Sequence, residues 1–104
     1  MQANRYNSLH QAVHDLKKRG YESEFQFRDG KLRDLDTGIT YGQQDLKVVE
    51  FHRFEGQTNP SDMSIVYALE SQSGCKGMVV SSFGPYAEPD MVEFMRAVPM
   101  QDRS

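Results

Sequence analysis

The chain has 104 residues, of which 38% are hydrophobic and 26% charged, enough for one compact core and an argument against wholesale disorder. Twelve basic against fifteen acidic side chains give a net charge of −3, the wrong sign for a domain that lives on nucleic-acid phosphates. The longest apolar run, Ile65-Val66-Tyr67-Ala68-Leu69, falls far short of the about 20 residues that a membrane-crossing helix needs.

The first predicted element is a helix over residues 9–19. Ser8 and Gln11 have the spacing of a capping box, Leu9, Ala12, Val13 and Leu16 draw one apolar stripe, and Gly20 suits the end. The basic run Lys17-Lys18-Arg19 complements the helix dipole there. Residues 24–28 and 31–33 alternate around Asp29-Gly30, which predicts a hairpin with Phe27 opposite Leu32 and Arg28 opposite Lys31. Residues 34–46 are rich in turn formers, with Ile39 and Tyr41 marking a short strand.

Residues 47–54 read as a strand with Val49 and Phe51 on one face and Val48 and Phe54 on the other. Apolar groups on both faces point to a central position. After a loop over residues 55–62, a second hairpin is expected from residues 64–72 and 75–82, turning at Ser73-Gly74. That turn sets Leu69 opposite Met78, Tyr67 opposite Val80 and Ala68 opposite Val79. Pro89 and Asp90 open a closing helix whose stripe is Met91, Phe94, Met95 and Val98, stopped by Pro99.

The expected fold is therefore α+β: a mostly antiparallel sheet of 4–6 strands with an N-terminal and a C-terminal helix packed on one face, in the order α-β-β-(β)-β-β-β-α. One domain is expected over residues 1–104, ordered over about 6–98 and frayed at 1–5 and 100–104.

Leu16-Lys17-Lys18-Arg19-Gly20-Tyr21, then Arg53-Phe54-Glu55-Gly56 with Pro60 and Asp62, then Tyr67-Ala68-Leu69-Glu70-Ser71, Lys76-Gly77 and Gly84-Pro85-Tyr86 follow in order. Together, over residues 6–97, they resemble a family of small single-domain bacterial proteins of unknown function. Some of its members bear an automatically assigned label of phosphoribosylpyrophosphate synthetase. The residues do not support that label. Pyrophosphoryl transfer needs two anionic substrates, Mg²⁺ and a cationic clamp, and a chain this small with a net charge of −3 has little room for them. The nearest thing to a phosphate loop, residues 34–40, has its acids split by Leu35 and no apolar strand before it.

His10 and His14 share the i, i+4 spacing of a metal pair, yet they flank the apolar stripe without a third ligand, so no metal site is expected. Cys75, the one cysteine, cannot form an internal disulfide; with no apolar leader in the first residues it points to a reducing, cytoplasmic setting. Its neighbour Lys76 supplies charge but no base, which favours an inert thiol. No G-x-S-x-G occurs, and Asp15, Glu22 and Glu24 read as surface solvation. Met91, Met95 and Met100 read as packing.

The candidate binding residues are Arg53, Glu55 and Tyr86, on a rim where one strand leaves the sheet and Gly84-Pro85 ends it. The expected function is a non-enzymatic cytoplasmic module that binds a partner protein or small ligand or regulates it. Homodimerisation through an exposed strand is expected on the commonness of two-fold assemblies, and no cofactor. The alternative is a small nucleotide- or sugar-phosphate-binding protein or enzyme acting through that rim.

Overall fold

A computed structural model describes residues 8–54, 64–82 and 88–101. The first helix, α1 (Leu9–Lys18), starts at Ser8, whose Oγ accepts the Gln11 N–H at 3.2 Å. It ends in a Schellman motif, in which Tyr21 N–H donates to the Leu16 carbonyl and Gly20 N–H to that of Lys17. Ala12 and Leu16 are fully buried, and burying one leucine contributes about 2 kcal/mol.

Six strands follow: β1 (Ser23–Arg28), β2 (Lys31–Asp34), β3 (Thr40–Tyr41), β4 (Leu46–Phe54), β5 (Ser64–Ser71) and β6 (Lys76–Ser82). A 3-10 turn, Gln43–Asp45, leads into β4, and α2 (Pro89–Ala97) is the last helix among the described residues. The α+β class and the order of elements are as expected. The sheet order is β3-β2-β1-β6-β5-β4, antiparallel throughout except for β1 beside β6, which run parallel. That junction is short, with Ser23 opposite Gly77 and Glu24 opposite Met78. Gly77 permits it: a β-carbon there would stand 2.6 Å from the Ser23 carbonyl oxygen.

The first hairpin has its expected register, Phe27 opposite Leu32 and Arg28 opposite Lys31. Asp29 at φ 54° and Gly30 at φ 78° supply the two positive values of a type I′ turn. The second hairpin is shifted by one residue from the expected pairing. Leu69 faces Gly77, Ala68 faces Met78 and Tyr67 faces Val79. The turn spans three residues, not two: Gly74 N–H returns to the Ser71 carbonyl, and Ser71 N–H pairs with the Cys75 carbonyl. Gly74 takes φ +96° at the third position, the left-handed site of a three-residue hairpin loop.

The two helices lie on opposite faces of the sheet, which corrects the expected one-face packing. Leu16, Ala12 and Tyr21 pack with Val66, Ala68 and Met78. Met91, Phe94, Met95 and Val98 pack with Phe25, Leu32, Val48, Leu69 and Val79. Val66 and Ala68 alternate with Leu69 along β5, so the clusters are on opposite sides. Two-faced apolarity in β4 reflects this double covering; the strand itself is at the edge and not central.

A β-bulge at Val49 further separates β4 from the expected pattern. Val48 faces the α2 core while Val49 joins the α1 core. The next pairs, Glu50 with Ala68 and Phe51 with Tyr67, put Glu50 on the α1 side and Phe51 on the other. Past α2, the segment Pro99–Gln101 runs along the outer edge of β4. Val48 N–H donates to the Pro99 carbonyl and Gln101 N–H to the Val48 carbonyl, both at 2.8 Å, and Met100 lies parallel to Val48.

Candidate functional site

Of the expected rim, Arg53 is described; Glu55 and Tyr86 lie outside the described residues. Arg53 is exposed near the end of β4, its guanidinium 5.8 Å from the centre of the Phe51 ring. Phe51 in turn meets Tyr67 at 6.1 Å between ring centres. Burial pushes the Tyr67 hydroxyl above its ordinary pKa, and the nearby Arg53 charge opposes that shift. Arg53 thus belongs to an aromatic patch on the side of the sheet that carries α2.

The bulge at Val49 assembles a polar cluster on the other side. Glu50 accepts a two-pronged hydrogen bond from Arg19, 2.6 Å to one carboxylate oxygen and 3.0 Å to the other. Its Oε2 also lies 2.7 Å from His52 Nε2. An ionised carboxylate only accepts, so Nε2 carries the proton in this contact. The Arg19 hydrogen bonds lead in pulling the Glu50 carboxyl down to about 2; partial burial opposes them and the His52 contact assists. Tyr21 completes the group, with Arg19 at 5.9 Å and Lys76 Nζ at 5.6 Å from its ring centre. The cluster ties the C-terminus of α1 to β4. The legible hint was Glu50 and His52 two residues apart on a strand; Arg19 is 31 residues from Glu50 and gave no local signal.

A second polar cluster lies under the turn of the second hairpin. Asp34 is fully buried. Its Oδ1 accepts from Asp36 N–H at 2.8 Å, and the Cys75 thiol donates to Oδ2 at 3.6 Å, with Ser23 Oγ 3.6 Å from the sulfur. Burial pushes the Asp34 carboxyl upward, but the Asp36 and Thr37 amides, then Cys75 and Ser23, outweigh it and hold the group below its ordinary value. Tyr41, buried beside them, is raised chiefly by burial and then by Cys75. Among the described residues every buried side-chain nitrogen and oxygen has a hydrogen-bond partner. His10 and His14 are both exposed on α1.

An open cleft of about 590 Å³ lies at the β4 edge of the sheet among the described residues. Three segments distant in sequence wall it: residues 44–47, residues 70–74 and the C-terminal residues 99–101. Gln72 holds the first two together, its backbone N–H on the Asp45 carbonyl at 3.1 Å and its side-chain amide on the Gln44 carbonyl at 2.9 Å. The bonds of Val48 to Pro99 and Gln101 bring in the third. Leu46, Pro99 and Met100 give the lining an apolar share, Gln44, Gln72 and Gln101 give it carboxamides, and Lys47 pairs with Glu70 at 3.3 Å. Sequence reading missed this cleft because its third wall comes from residues that looked like a fraying end. No helix among the described residues is long and apolar enough to cross a membrane. No protein-family model matches the chain, and neither does any curated protein or solved structure.

Proposed function

We propose that this chain is a non-enzymatic binding module that takes a small polar molecule in the cleft beside β4. The carrying observation is that three separate segments are tied by hydrogen bonds into the walls of a cleft of about 590 Å³. That volume lies in the range of small-molecule sites, which combine apolar lining with a few placed polar groups. The Lys47–Glu70 pair offers opposite charges 3.3 Å apart, and the carboxamides both donate and accept. A zwitterionic or amide-bearing molecule of amino-acid to dipeptide size matches that set. The single Cys75, which cannot form an internal disulfide, supports a reducing, cytoplasmic setting as part of the same proposal.

The test is a thermal-shift panel of free amino acids, capped dipeptides, nucleotides and sugar phosphates, since a ligand that binds only the folded state raises the melting temperature. Amino acids or dipeptides are expected to raise it, and Gln72→Ala to remove the rise. A response confined to nucleotides or sugar phosphates, and lost in Arg53→Ala, moves the site to the Arg53 rim instead. No response from any compound rejects both.

A further inference from the structure

We propose that the solvent face of the β1–β2 hairpin docks an acidic peptide segment of a partner protein, a surface distinct from the cleft and independent of its role. On the α1 side of the sheet the helix lies over β4 and β5, with Met78 of β6 in the same cluster. Glu24 pairs with Met78 across the parallel junction and so shares that side. Gln26 and Arg28 follow it at intervals of two along β1, and Arg33 and Lys31 pair with them from β2. All four are exposed.

The register forces like charges together. Arg28 stands directly opposite Lys31, an arrangement that destabilises a sheet, and Arg33 is one same-side position further on. Among the described residues, none of the three cations has an ion-pair partner. Glu24, the acid on that face, is engaged by Lys17 at 3.5 Å, and Asp29 sits in the turn itself. Three gathered cations with so little compensation lower their energy when an anion covers them.

Spacing selects the anion. Lys31 and Arg33 are two residues apart on one strand, so their side chains rise about 6.6 Å apart. Alternate side chains of an extended peptide have the same interval, so carboxylates at i and i+2 meet both. The guanidinium forks of Arg28 and Arg33 suit carboxylates in two-pronged geometry. Val80 of β6, 45% exposed on the same side of the sheet, adds apolar surface there. A nucleic-acid strand fits less well. The hairpin's own rings, Phe25 and Phe27, are on the opposite side where no base can stack on them.

Fluorescence polarisation with a labelled alternating Glu-Ser peptide and the full chain tests this. The peptide is expected to bind at about 50 mM salt and to weaken several-fold by about 200 mM, as screening requires. Lys31→Glu and Arg33→Gln should each weaken it by about three- to tenfold. Lys31→Glu should leave the melting temperature unchanged or raise it, because it sets an opposite charge across from Arg28. Absence of binding at low salt, equal affinity in both variants, or tighter binding of an oligothymidylate of similar length would each overturn the proposal.

Discussion

Gly77 occupies a position where the backbone of one strand takes the space of a side chain. A β-carbon there meets the Ser23 carbonyl oxygen at 2.6 Å and the Phe25 ring at 2.8 Å, and neither yields easily because the carbonyl is β1 backbone and the ring is buried in the core. Gly77→Ala is expected to cost about 1–3 kcal/mol, the usual penalty of overpacking, read from the urea unfolding midpoint. An unchanged midpoint would mean that β1 steps back from β6 without loss. Glu50 offers a prediction of another kind. A carboxylate whose folded-state pKa lies below its unfolded one stabilises the fold above the unfolded value and loses that contribution as pH falls through the folded one. For Glu50, held at about 2 against an ordinary 4.5, the window runs between those two values. Glu50→Gln should therefore lower stability near neutral pH by about 1–3 kcal/mol, and the gap from the parent protein should close across that window. A gap that persists undiminished in acid would assign the effect to shape, not charge.

At the scale of elements, α1 and the first hairpin were legible because their signals are local. A cap, an apolar stripe, a helix stop and an Asp-Gly turn each act within a few residues. The second hairpin shows where such reasoning runs out. Ser73-Gly74 serves equally as a two-residue turn or as the end of a three-residue one, and alternation in β5 and β6 tolerates either because both faces are covered. Gly74 at φ +96° decides for the longer loop. Gly74→Ala should accordingly cost about 1 kcal/mol, whereas Ser73→Ala, outside the left-handed position, should cost less in the same denaturation experiment. Equal costs would argue that the turn relaxes to another type. The edge position of β4 departs from the sequence expectation for a related reason, since apolar residues on both sides reveal how many faces are covered, not how many neighbours a strand has. The bulge at Val49 carries no sequence signature, yet it turns Glu50 toward Arg19, so the cluster at that end was hidden with it.

For the molecule as a whole, the C-terminal segment has two roles, closing the cleft and covering part of a sheet edge. Such edges pair readily with other chains when they are uncovered. Truncation after Val98 removes Pro99 and Gln101, the hydrogen-bond partners of Val48, and should raise the self-association seen by sedimentation velocity while the helices and hairpins persist in circular dichroism. A truncated chain that stays as monomeric as the parent would show that the segment has no guarding role.

The parallel junction between β1 and β6 also divides the sheet into two three-stranded halves joined by two residue pairs. On one side α2 bridges them, with Phe94 of the helix 5.6 Å from Phe27; on the other, Lys17 reaches across to Glu24. A seam so narrow concentrates mechanical compliance in one line, much as a perforation does in a sheet of paper. Amide hydrogen exchange should find the β1–β2 unit opening at lower free energy than β5 and β6. If the two halves exchange in unison, the helical bridge, and not the seam, governs how this protein yields.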